Sequence, residues 1–506
     1  MNLDPNTPVI VGVGQAAERI DDPDYRGMSP VELAAAAASA AVDDCGVEDA
    51  AAALDTVAGV RQFEISGVIN APLGRSNNYP RSVANRIGAD PARAILEIVG
   101  GQGPQHLISE LAAEIAAGRS QVAMVFGSDA TSTLRYFAKA EARPDFTETV
   151  DGDLEDRGQG IEKLVSRYTV AHGLTSAPIQ YALLENARRA GTGLGPAEYR
   201  RRMGELFAPF TNVAAGNPFA ASPVRRDVDE LITVTESNRM ICEPYPRLMV
   251  SRDQVNQGAA ALLMSIDAAR RLGVPEEKWI YLHGHADIEE QALLQRPDLG
   301  HAPSHLLAVR DALSMAGIGI DDVATFDLYS CFPVPVFNIC DGMGIAPDDP
   351  RGLTLTGGLP FFGGAGNNYS MHAVAETVSR MRTLPGQFGL VGANGGILSK
   401  YSVGVYSTTP VEWKPDRSPQ LQAQVAGWPT EAVTENADGT GTVETYTVRR
   451  DDGRPTGIVI GRLDDGSRFL STTEDDESIA LLIDGDPLGR QVRVRSFDYG
   501  NRCTLA

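Results

Sequence analysis

The chain has 506 residues, enough for about three domains and a large core. Lys and Arg number 44 against 66 Asp and Glu, a formal charge of −22, which repels phosphate backbones and anionic membranes; neither nucleic acid nor a membrane is an expected partner. Hydrophobic residues at 43% and charged residues at 22% exclude wholesale disorder, and the five dispersed cysteines, with no CxxC spacing, exclude a zinc cluster or a disulfide framework.

Residues 1–15 carry an Asp and no basic stretch, and nowhere do roughly 18 apolar residues run without a charge, so a reduced, cytosolic chain with no membrane span and no metal is expected. The run Pro8 to Gln15 reads as a buried strand ended by glycines. Gly12 and Gly14 do not make a dinucleotide fingerprint, because Ala17 stands at the third position and residues 21–30 intervene before the helix. Ser29-Pro30 then opens an Ala-rich helix to about Asp44, closed by Cys45-Gly46-Val47. Val57 to Val60 reads as a strand. Ala94 to Val99, the turn Gly100-Gly101-Gln102-Gly103-Pro104, an amphipathic helix to Ala117 and the strand Val122 to Gly127 follow in the order of a parallel α/β sheet.

The same order returns further along. Ile280 to Leu282 reads as a strand, Ser304 to Met315 as a helix ending in Ala316-Gly317-Ile318, and Val323 to Asp327 as a strand. The glycine turn at 363–366, the helix Tyr369 to Met381 and the strand Phe388 to Gly392 complete the copy. Cys45-Gly46-Val47 matches Ala316-Gly317-Ile318 at an offset of 271 and Phe126-Gly127 matches Val391-Gly392 at 265, so the two halves read as a duplication. Residues 131–252 between them are charged and partly helical, a position where α/β proteins carry a lid or binding subdomain. After residue 410, short β-type runs and Asp-Gly turns at 438, 452, 465 and 484 predict hairpins of a small all-β, OB-like barrel. Its 11 Lys and Arg against 17 Asp and Glu oppose oligonucleotide binding and favour a packing module. The expected division is 1–130, 131–252, 253–410 and 411–506.

Duplicated α/β halves with an insertion after the first resemble the thiolase superfamily, whose two halves form a five-layer αβαβα sandwich. Locally, AAEIAAGRSQVAMVFG from Ala112 resembles the thiolase segment after the nucleophile, RLMVSRDQVNQGAAALL from Arg247 the "D-G-A-A-A" region, and DLYSCF from Asp327 the NEAF or HDCF block. The likeness spans about residues 8–410, and the tail resembles the extra C-terminal domain of type 1 thiolase-like proteins.

The resemblance implies a cysteine nucleophile, an Asn or His of an oxyanion hole, a His base and an acid/base cysteine. Carried over by position, these fall on Gly101, Tyr329, Gly364 and Ala393, so both thiols and the imidazole are replaced and thiolase chemistry is expected to be lost. Cys331 stands where the HDCF form carries a packing cysteine; a structural role outweighs a nucleophilic one. His372 and His106 are read as satisfied or surface histidines ahead of displaced bases. The glycine amides that hold a thioester oxygen in thiolases survive at Gly101 and Gly395. With Asn367, Asn368, Tyr369 and Asn394 they form the candidate ligand-binding set for CoA or an acyl-CoA, with no other cofactor. Arg135, Lys139 and Arg200 to Arg202 are candidate cations for the CoA phosphates and, more simply, solvated helix faces. Three readings compete: a CoA-ester binder without thiolase turnover, a divergent acyl-CoA enzyme such as a retro-aldolase using Tyr329, and a scaffold. A monomer or a homodimer is compatible with each.

Overall fold

The computed structural model describes residues 3–63, 71–161, 166–450 and 453–505. Two sheets repeat one strand plan. In the first, Pro8–Glu18 pairs antiparallel with Asn256–Ser265, which pairs antiparallel with Val122–Asp129, which runs parallel to Thr56–Gly59 and then Arg93–Leu96. In the second, Tyr281–Glu289, Lys400–Ser407, Phe388–Gly395 and Val323–Leu328 follow with the same senses. The strand Asn256–Ser265, which a boundary at 252/253 assigns to the second half, therefore hydrogen-bonds in the first sheet. Every one of its residues is buried, so a run such as GAAALLM shows that a strand is central without showing which sheet holds it.

The helices Gly103–Ala116 and Tyr369–Thr383 lie against each other between the sheets, while Pro30–Cys45 covers the outer face of the first sheet and Pro303–Ala316 that of the second. This is the five-layer sandwich, and the glycines show how closely it is packed. A Cβ on Gly12 or Gly14 would run into the Ala41 or Ala37 carbonyl of the outer helix, and one on Gly284 into the Ala312 carbonyl of the copy. Gly12 and Gly14 thus serve helix-on-strand contact, and the duplication repeats it through the single Gly284. The helix Pro30–Cys45 opens at Ser29 as expected, where the structure adds a capping box with Glu32, and closes at a left-handed Gly46.

The described residues of 131–252 pack into the neighbouring parts of the fold. Glu155–Asp156 adds an edge strand beside Arg93–Leu96, and Met240–Cys242 with Tyr245–Pro246 extends the C-terminal sheet. The long helices Ala177–Thr192 and Pro196–Gly216 pack with the second half in the largest apolar cluster. At the C-terminus, Gly439–Arg449, Thr456–Leu463, Arg468–Thr473, Gln491–Phe497 and Gly500–Leu505 close into a barrel through pairings of the first strand with both the second and the fourth. The turn at Asp465-Gly466 joins a hairpin as expected, whereas Asp484-Gly485 ends the helix Asp476–Asp484. Asp452 lies outside the described residues. The helix Ser418–Ala426 packs on the second-half strand Tyr281–Glu289: Asp287 N–H donates to Ser418 Oγ at 2.8 Å and Glu289 N–H to Gln422 Oε1 at 2.8 Å. Among the described residues, no helix is long and apolar enough to cross a membrane, and all five cysteines are buried and unpaired.

Candidate functional site

Parallel strands bring their C-terminal ends to one side of a sheet, and the loops that follow gather there. The turn 97–102 precedes the helix Gly103–Ala116, the block 328–332 follows Val323–Leu328, residues 363–368 precede Tyr369–Thr383, and Phe388–Gly395 ends in a turn at 396–399. These are the segments that hold the candidate residues.

A Cβ built on Gly101 would fall on the Tyr329 hydroxyl and lie 2.7 Å from the Asn394 carbonyl oxygen. Tyr329 therefore occupies the space into which a residue-101 side chain would project. Gly101 N–H makes no hydrogen bond among the described residues, while its carbonyl accepts from Ser370 Oγ at 2.5 Å. Beside it, the Gln102 side chain is wedged where a Cβ on Gly395 would stand, so Gly101 and Gly395 approach each other across Gln102. Gln102 Oε1, Asn394 Oδ1 and both polar atoms of the Asn368 amide are buried without a hydrogen-bond partner among the described residues.

The remaining candidates divide by what their side chains touch. Asn367 ties two loops, accepting from Gly100 N–H at 3.1 Å and donating to the Arg61 carbonyl at 2.8 Å. Tyr369 is engaged: its hydroxyl meets Thr356 Oγ1 at 2.5 Å and donates to Asp327 at 3.2 Å, so it positions the loop and does not face a ligand. Asp327 also accepts from Thr354, Leu355 and Thr356, and this cluster fixes the base of the block. Asn394 donates to the Tyr181 hydroxyl at 2.7 Å. A Cβ on Gly364 would point at Ser251 Oγ, whose own residue donates its N–H to the Cys331 carbonyl; residue 364 thus reaches the block only through Ser251. Ala393 is a buried strand residue opposite Ser402.

Tyr181, from the inserted helix Ala177–Thr192, had no motif to announce it. It stacks on Phe332 at 4.5 Å and donates to the Gly396 carbonyl at 2.8 Å, closing the site from above. One turn on, the buried Glu185 accepts from Tyr199, Tyr245 and Val334 N–H, pinning the same helix to the start of Pro333–Met343.

Burial sets the protonation of these groups. It drives the Tyr329 phenol far above its ordinary range, with Cys331 adding to the shift, and pushes the Cys331 thiol up to about 12. His372 is pulled down to about 3 by burial and meets Gln15 Oε1 through Nδ1 at 2.7 Å. Near neutral pH Cys331 is a thiol and His372 a neutral imidazole, buried with Nδ1 engaged and Nε2 without a hydrogen-bond partner among the described residues. His106 bridges Asp287 at 3.3 Å and Glu110 at 3.5 Å. With Glu97 and Glu110 it makes a set close enough for a metal, but Arg157 already pairs both carboxylates at 2.7 and 2.6 Å, so the set is an ion-pair network. Arg135 pairs with Asp253 and Arg201 with Asp229 on solvated faces, whereas Arg200 lies partly buried against the buried Glu243.

A solved structure from Mycobacterium smegmatis, described as a monomeric SCP2-thiolase-like protein type 1, is 57% identical over all of both chains, with a TM-score of 0.87. The chain belongs to this family. Residues 420–498 match the model of the thiolase-like protein type 1 additional C-terminal domain. More distant structures share the fold of this SCP2-thiolase-like chain over 80% of its length: an Ltp2-ChsH2(DUF35) aldolase at 17% identity and a TM-score of 0.60 over 99% of that chain, and an acetyl-CoA acetyltransferase from Syntrophomonas wolfei at 15% and 0.56 over 99%. No curated protein sequence matches it.

Proposed function

We propose that this SCP2-thiolase-like protein binds CoA or an acyl-CoA at the strand ends and performs neither thiolytic cleavage nor Claisen condensation. The observation that carries the reading is the pairing at Gly101: the phenol of Tyr329 fills the nucleophile's place, while the Gly101 amide and the unpartnered Gln102 and Asn394 oxygens are kept around it. A buried polar atom without a partner costs about 1–3 kcal/mol, so a fold that keeps several beside a free amide favours a polar ligand there. Tyr329 stays protonated and serves as a hydrogen-bond donor to a thioester oxygen, not as a base.

The closure of the Arg93–Leu96 edge by Glu155–Asp156 supports a monomer, because thiolases pair through that sheet, and the M. smegmatis relative is described as monomeric. Five buried, unpaired cysteines support a reducing, cytosolic setting.

Calorimetric titration with CoA and acetoacetyl-CoA, with thioester loss followed in the same mixtures, tests the reading. Binding without thiolysis is expected. Thiolysis would refute the loss of catalysis, and no binding of either ligand would leave the scaffold reading.

A further inference from the structure

The outer face of one barrel hairpin carries a charge opposite to that of the chain. Along Gln491–Phe497, Arg493, Arg495 and Phe497 alternate outward between the buried Val492 and Val494. In the facing strand Gly500–Leu505, Arg502 lies directly opposite Arg495, and Thr504 opposite Arg493. Like charges facing each other across a ladder destabilise it. None of the three arginines forms an ion pair with a carboxylate among the described residues, although the chain has 66 acidic residues; Arg502 donates to Thr472 Oγ1 and to the Asn501 carbonyl.

At the hairpin tip, Phe497 is 44% and Tyr499 62% exposed, and their rings stack with centroids 5.6 Å apart and planes 12° from parallel. The Arg502 guanidinium lies 5.0 Å from the Tyr499 ring centre. Two stacked aromatic rings held in water, flanked by unneutralised arginines, make a platform for flat rings joined to anions.

We propose that this hairpin binds single-stranded nucleic acid, with bases stacking on Phe497 and Tyr499 and phosphates meeting Arg493, Arg495 and Arg502. The strand partners argue against an added β-strand, since Gln491–Phe497 is paired on both edges, by Gly439–Arg449 and by Gly500–Leu505. Ligand must therefore lie across the face. Arginines two residues apart on a strand are spaced about 7 Å, close to the repeat of an extended sugar–phosphate chain. The barrel's strand order is that of an OB-fold, in which the loop between the fourth and fifth strands borders the oligonucleotide track; here that loop is the tip 498–499. The total charge of −22 and the barrel's own excess of acidic residues, 17 against 11 basic ones, do not abolish such a site, because charges more than about 8 Å away are largely screened at physiological salt; they make binding weak and salt-sensitive.

Fluorescence anisotropy of labelled deoxythymidine and uridine oligomers of about 12 residues, titrated with the full chain at about 50 mM salt and upward, is the test. Binding is expected with a log–log salt slope near −2, that is, about three phosphate contacts at roughly −0.7 each. The double variant Arg493→Glu/Arg495→Glu should lower affinity at least tenfold, and Tyr499→Ala severalfold with the slope unchanged, since stacking releases no counterions. These exposed positions leave folding intact, which circular dichroism checks. No binding at low salt, binding insensitive to the double variant, or equal competition by polyglutamate with Tyr499→Ala neutral would each overturn the proposal, the last by showing that the face takes an acidic polypeptide.

Discussion

In the proposed reading Gly101 and Tyr329 together stand in for a nucleophile and its oxyanion partner, and the geometry explains why neither residue can be changed alone. A side chain at 101 and a phenol at 329 claim the same volume, so Gly101→Ala overpacks the site and is expected to cost about 1–3 kcal/mol in denaturant unfolding. In a Tyr329→Ala background the penalty should fall by half or more; additive losses would show that the two do not share the space. Tyr329→Phe removes only the hydroxyl. It should weaken acyl-CoA binding roughly tenfold, the worth of one hydrogen bond at about 1.4 kcal/mol, while leaving stability nearly unchanged, and titration calorimetry reads the difference.

At the scale of elements, the central helix Gly103–Ala116 is tied to the second half by His106. Asp287 lies on the strand Tyr281–Glu289, Glu110 one turn along the same helix, and Glu97 and Arg157 face the cluster from the first half and the insertion. Burial opposes the imidazolium, but Asp287 and Glu110 hold His106 well above its ordinary value, and His106 in turn helps hold Asp287 below its own. A raised folded-state value means that the His106 contribution is full below about pH 6.5 and fades as pH rises through the raised value; the Asp287 contribution is lost as pH falls below about 4. His106→Gln should therefore destabilise most between about pH 4 and 6.5 and least at alkaline pH, as thermal unfolding across pH would show. A pH-independent difference would remove the charge argument. The imidazole is 35% exposed, so salt is expected to weaken the effect.

For the whole molecule, the additional C-terminal domain reaches the candidate site through two buried arginines. Arg468 pairs with Glu444 inside the barrel and donates to the carbonyls of Leu294 and Arg296. The Arg296 guanidinium then donates to the Ile397 carbonyl and to Ser399 Oγ, in the turn after Gly395. Arg468→Met should speed amide exchange in residues 396–400 while the barrel strands stay protected. Arg462→Met, which loses a partner of the same Glu444 without touching residue 296, should leave that turn unchanged. Equal effects of the two variants, read by hydrogen exchange, would show that the barrel does not brace the site.

The duplication and the strand, glycine turn and helix order are legible in the sequence, because these reside in local patterns: β-branched runs, caps and glycines. The same patterns mark the glycine turns that hold the candidate residues. Tertiary structure alone decided that Asn256–Ser265 belongs to the first sheet, that Tyr329 fills the space above Gly101, that Tyr369 is consumed by Asp327 and Thr356, and that Tyr181 arrives from the insertion. Each of these joins residues far apart in the chain, and composition averages over just such encounters. The arginine face of the hairpin is the clearest case: the charge of −22 describes the chain as a whole, while strand alternation and register gathered three like charges on one side of two strands.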